Sequence, residues 1–142
     1  PYDYSYTGND ADKVFETTVA MPIIENGVVL GVVGIDILLS QLKNMINFNQ
    51  SGHSAIISND MKIAAHTDME LHQKNIAEVA GDTSLTMIRA LENGNEYVYE
   101  TKSMQSGNKV LRVFCPIHFA DELKPWSVMV EIPLSEVYAQ TR

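Results

Sequence analysis

Cysteine occurs once in these 142 residues, as Cys115. A single thiol excludes an internal disulfide and any metal cluster built from cysteines, and it is compatible with either redox compartment. Positive charge is scarce: 10 Lys and Arg stand against 18 Asp and Glu, for a net charge of −8. A surface of that sign repels polyanions, so neither nucleic acid nor anionic lipid is an expected partner. No apolar run approaches the roughly 18–20 residues that a bilayer-spanning helix needs. These residues contain no GxSxG, no phosphate loop and no paired nucleophile and base; they contain no signal peptide either, which in an excerpt says little about where the parent protein resides. His53, His66, His72 and His118 are too scattered for a metal-ligand spacing such as HxxxH. The acid pairs Asp121-Glu122 and Asp10/Asp12 fall in loops, not across a cleft as a two-carboxylate hydrolase requires. Enzymatic activity, a cofactor and a metal are therefore not expected.

What is present suggests a folded, β-rich chain. Apolar residues make up 45%, enough for a core. The chain opens at Pro1 and closes on a helix-like run, so it reads as an excerpt of a longer protein. Residues 1–12 (PYDYSYTGNDAD) read as loop. The β-branched run KVFETTVAMPII predicts a strand over 13–24. Asn26-Gly27 then signals a tight hairpin, since both residues tolerate positive φ. The return strand VVLGVVGI is apolar at every position and is expected to be buried on both faces. Its Gly31 and Gly34 suggest close approach by a backbone or a ligand.

The apolar period changes next. Leu38, Leu39, Leu42, Met45 and Ile46 fall on one face of a helix that ends near Gly52. Asp36 stands at this switch. It is expected either to cap that helix or to be a ligand-binding carboxylate at the strand end, and the two roles are compatible. Further on, HSAIISN and MKIAAHT predict a hairpin. DMELHQKNIAEVA and SLTMIRALEN predict helices, and EYVYETKSM, KVLRVFCPIHF and WSVMVEIPL predict three strands. SEVYAQTR predicts a last helix with Ser135 as its cap. Cys115 is expected to be a small buried apolar residue and Trp126 a core anchor. His66, at a strand end, is expected to be a satisfied, partly buried histidine. The fold class is α+β, a five-stranded antiparallel sheet with flanking helices, preceded by a hairpin and a linker helix.

Three stretches carry a family likeness. PIIENGVVLGVVGIDILLSQL resembles the closing hairpin and linker helix of the membrane-distal half of a double Cache domain, a PAS-like sensor. SGHSAIISNDMKIAAHTDMELHQKNI resembles the opening of the membrane-proximal half, and PWSVMVEIPLSEVYA its closing strand and exit helix. Thr67 stands where that family often has Pro, Met61 where Gly is common, and His72-Gln73 where small residues are common. The resemblance implies residues 1–37 as the end of a distal module, 38–50 as a linker helix, 51–134 as a PAS-like module and 135–142 as the start of an exit helix.

The resemblance further implies the extracellular sensing domain of a membrane-anchored, homodimeric bacterial chemoreceptor (methyl-accepting chemotaxis protein). Its ligand would be an amino acid or a small carboxylate. Sensor histidine kinase or diguanylate cyclase ectodomains are the alternatives on the same fold, and an intracellular PAS-type interaction module is the alternative from another class. In the amino-acid-binding members, the Asp of this GIDI strand pairs with the ligand ammonium, which places Asp36 in the site. Tyr2 matches the Tyr of the family's Pro-Tyr-x-Asp stretch, while Tyr4 stands where the Asp would be and Asp3 is one position off. Tyr2, Tyr4 and Tyr6 are candidate pocket residues, because their rings can stack on a ligand while their hydroxyls orient it.

Overall fold

A computed structural model describes residues 1–47, 51–81 and 84–139. The last three residues of the expected linker helix (38–50) and of the expected exit helix (135–142) lie outside the described residues. The chain divides into two units, residues 1–42 and 43–142.

The first unit is a three-stranded antiparallel sheet in the order β1-β2-β3, formed by β1 (Tyr2–Tyr4), β2 (Val14–Glu25) and β3 (Val28–Leu38). Asn26 and Gly27 make the expected tight turn, with φ of 51° and 79°, which matches the twist of the two long strands. Near the turn the register shifts by one residue: Ile24 faces Val29, but Ile23 faces Gly31. Such a bulge moves every later side chain to the other partner face.

Four expectations change in this unit. Tyr2–Tyr4 is a short strand and not loop, because it pairs with Val14–Glu16. β3 runs on through Asp36 to Leu38, since Ile35, Ile37 and Leu38 continue the pairing with β2. Asp36 therefore caps no helix. The helical run that follows is a 3-10 segment, Leu39–Met45; its expected capping acid is committed to the sheet, so the first turn lacks that N-terminal acceptor. Finally, β3 is exposed on both faces, with Val32 at 66% and Ile35 at 69%, because the unit has no second layer of its own to cover the sheet.

The second unit is the expected five-stranded antiparallel sheet. Its strands are β4 (Ser54–Ile57), β5 (Ile63–His66), β6 (Tyr97–Lys102), β7 (Lys109–Ile117) and β8 (Trp126–Pro133), arranged β5-β4-β8-β7-β6. Two helices connect the hairpin β4–β5 to β6: α1 (Ile76–Ala80) and α2 (Leu85–Glu92). Their apolar faces supply Ile76, Val79, Ala80, Met87 and Leu91 to a core shared with Ala55, Ile57, Ile63, Phe114 and Met129. The first predicted helix is broken: Met69–Leu71 is 3-10, and α1 starts only after Asn75, whose side chain accepts from the Ala77 N–H. Gly81, left-handed at φ 62°, ends α1, a conformation that costs glycine little.

Ser84 caps α2, its Oγ accepting the Met87 N–H at 3.1 Å. Ser84→Ala should lower the unfolding free energy by about 1 kcal/mol in a urea titration; an unchanged midpoint would show that the cap contributes nothing. The last helix, α3 (Leu134–Ala139), begins one residue before Ser135, so Ser135 sits in its first turn and not at its cap. Cys115 is exposed, not buried, because strand alternation turns Arg112 and Phe114 inward and Cys115 outward. Trp126 is half-buried at the start of β8, edge-on to Phe119 at 5.7 Å, outside the main core.

Candidate ligand-binding site

Antiparallel register decides which side chains of the first unit meet. Tyr2 faces Glu16, Tyr4 faces Val14, Glu16 faces Leu38 and Thr18 faces Asp36. Opposed residues share a face, so Tyr2, Tyr4, Glu16, Thr18 and Asp36 lie on one side of the sheet. The other side carries Val19, Met21, Val33 and Ile35 and is apolar. Gly34 lies beside the polar cluster, where an added Cβ would come 3.2 Å from Thr18 Cγ2; at Gly31 a Cβ would meet nothing within 4 Å. Of the two glycines, only Gly34 is at a close approach, and what approaches is a side chain.

The hydroxyls form a directed relay. Thr18 Oγ1 donates to Asp36 Oδ1 at 2.6 Å. That uses the only proton of Thr18, so the Tyr2 hydroxyl, hydrogen-bonded to Thr18 Oγ1, is the donor there. Tyr6 OH lies 2.8 Å from Glu16 Oε2 and 3.3 Å from Asp36 Oδ2. One proton serves two carboxylates, and the shorter distance gives it to Glu16. The hydrogen bond to Glu16 is the main cause that raises the Tyr6 pKa, followed by desolvation and the charges of Glu16 and Asp36, so Tyr6 remains a proton donor. Tyr4 packs edge-on to Tyr6, with centroids 4.9 Å apart at 78°. Tyr2, Tyr4, Tyr6 and Asp36 are exposed, while Glu16 is buried. Asp36 is thus an accessible acceptor held by the Thr18 hydroxyl, and among the described residues no basic side chain forms an ion pair with it.

All four residues singled out from the sequence therefore converge. Glu16 and Thr18 were not singled out. Alternation in VFETT places both on one face of a strand, but that signal does not say which face Asp36 shares.

One buried polar network of the second unit is internally satisfied. Tyr99, Arg112 and Glu131 stand side by side on β6, β7 and β8. Arg112 Nε and Nη2 both donate to Glu131 Oε1, at 2.9 and 2.6 Å. Arg112 Nη1 donates to Ala80 O at 3.0 Å and to Tyr99 OH at 2.7 Å. Ser103 Oγ donates to Glu131 Oε2 at 2.7 Å. Arg112 and Glu131 are each 1% exposed, so this fully hydrogen-bonded pair joins α1 to the sheet and offers nothing to a solute.

No family model matches the chain. It is 29% identical over 136 residues to the methyl-accepting chemotaxis protein TlpQ of Pseudomonas aeruginosa, covering 87% of this chain and 18% of TlpQ. The periplasmic sensory domain of the Campylobacter jejuni chemoreceptor Tlp1 superposes with a TM-score of 0.75 at 19% identity, over 97% of this chain and 49% of that one. The chain has the fold of a Cache-type chemoreceptor sensory domain. The same sensory fold recurs in the extracellular domain of the putative histidine kinase mmHK1S-Z3, with a TM-score of 0.80 at 22% identity over 99% of this chain and 51% of that one. It recurs again in the ligand-binding domain of the Pseudomonas fluorescens chemoreceptor CtaA, solved with L-isoleucine, with a TM-score of 0.64 at 21% identity over 88% and 48% of the two chains. The chain thus spans about half the length of these solved sensory domains.

Proposed function

We propose that this sensory-fold chain is part of the extracytoplasmic ligand-sensing region of a membrane-anchored, homodimeric bacterial chemoreceptor, and that it binds the ammonium of an amino acid at Asp36. The observation that carries this is the accessible Asp36 carboxylate. Thr18 positions it, no basic side chain among the described residues neutralises it, and the Tyr6 hydroxyl lies 3.3 Å away. A carboxylate enclosed with a solute needs a positive partner, and a ligand ammonium supplies one. CtaA's structure with L-isoleucine supports the ligand class. The ligand signals by binding one conformational state more tightly than another, and no bond is made or broken.

The test is calorimetric titration of the complete receptor ectodomain with the proteinogenic L-amino acids. Asp36→Ala should weaken the best ligand by roughly 10- to 100-fold, the worth of a hydrogen-bonded charge pair. Equal affinity in wild type and variant would remove Asp36 from the site. The likeness to mmHK1S-Z3 favours a second reading, a sensor kinase ectodomain of the same fold. A histidine-kinase output domain in the parent protein would decide for it.

A further inference from the structure

Imidazoles hold the end of β5 in place. The Asp68 N–H donates to His66 Nδ1 at 2.8 Å. The His66 N–H donates to His72 Nε2 at 3.2 Å. His53 Nδ1 lies 3.3 Å from Thr67 Oγ1. The rings of His53 and His66 stack at 5.7 Å and 23°, and His66 is fully buried. Three histidines far apart in sequence thus converge on residues 66–68. Among the described residues they do not form part of a group able to hold a metal ion.

A neutral imidazole has one acceptor nitrogen and an imidazolium has none. Because His66 Nδ1 accepts from Asp68, the neutral ring carries its hydrogen on Nε2, which has no hydrogen-bond partner among the described residues. A proton can therefore add only at Nδ1, the atom already engaged. Protonation there sets a donor against the Asp68 N–H. Asp68 is also the residue that caps the 3-10 turn Met69–Leu71, so its release reaches that turn.

We propose that His66, packed against His53 and His72, is an acid-released clasp on residues 66–72, which opens when His66 takes up a proton while the five-stranded sheet stays intact. The charged and titratable groups facing His66 are His53 before β4, Asp68 and His72 after β5, and Glu131 on β8. Burial opposes the imidazolium most strongly, followed by His53 and, more weakly, His72; Asp68 and Glu131 favour it. Glu131 is already engaged by Arg112 and Ser103. The balance pushes the His66 pKa from 6.5 down to about 4. A depressed folded-state value means the unfolded chain takes the proton first. The clasp's contribution is therefore complete above pH 6.5 and is lost as pH falls toward 4.

The test is a proton–nitrogen NMR titration of the full chain from pH 7.5 to 4. The exchange protection of the Asp68 amide should fall by at least about tenfold as His66 titrates, while the amides of Val113 and Val130 in the β7–β8 pairing keep theirs. In His66→Gln, whose amide oxygen accepts without titrating in this range, the Asp68 amide should stay protected to pH 4. If that variant does not fold, His72→Gln gives the complementary reading: with His66 intact, the Asp68 amide still releases as His66 titrates. Persistent Asp68 protection after His66 has titrated overturns the proposal. So does a His66 that takes up its proton only when the whole sheet unfolds.

Discussion

Glu131→Leu lowers the unfolding free energy by about 3–5 kcal/mol. The substitution leaves the Arg112 guanidinium, 1% exposed, inside the second unit with only Ala80 O and Tyr99 OH as named partners. It also removes the shortest hydrogen bond of the Ser103 hydroxyl, which then keeps only the longer one to Gln105 Oε1. An uncompensated buried charge costs far more than the intact pair contributes, because the pair's mutual attraction largely offsets the desolvation of both ions. The double variant Arg112→Met/Glu131→Leu should therefore recover most of the loss. Urea denaturation of the two variants checks this. A single-variant loss below about 1 kcal/mol would mean that water reaches the pair. A double variant no better than the single would mean that the network is needed for packing and not only for charge balance.

Phe114→Ala should cost a comparable amount, about 3–5 kcal/mol. Phe114 is fully buried, and on β7 it stands between Tyr97 of β6 and Met129 of β8. Loss of the ring removes apolar contact and leaves a cavity, and Met129, already packed, can fill only part of it. Urea denaturation should show a lower midpoint with an unchanged slope. A changed slope would point to an altered unfolded or native ensemble in place of a simple cavity.

The second unit was legible in the sequence because its signals agree with one another. Val110 and Phe114 fall at alternating positions of one strand, and the stretch SLTMIRALEN begins at Ser84, the residue that caps α2. Cys115 was misplaced because an apolar strand buried on both faces looks locally the same as one buried on a single face. The first unit was harder. Counted back from the Asn26-Gly27 turn without irregularity, Asp36 would face Thr17 and share a side with Phe15 and Val19. The one-residue shift between Ile23 and Ile24 places it opposite Thr18, with Glu16 and Tyr2 within reach. A bulge of this kind carries no residue signature in VVLG, so composition could nominate Asp36 but not its neighbours. The three histidines were dismissed as scattered because sequence spacing registers i, i+4 partners but not a hairpin that folds His53 back onto His66.

The strand arrangement β5-β4-β8-β7-β6 has a consequence for how the protein is made. During synthesis, β4 and β5 leave the ribosome as one hairpin and β6 and β7 as another, and no strand pairing joins them until Trp126–Pro133 emerges and inserts between β4 and β7. The nascent unit therefore waits with two open hairpins and unpaired backbone, the condition in which chaperones are most needed. A chain terminated just before Trp126 should remain aggregation-prone even though four of the five strands of this unit are already made.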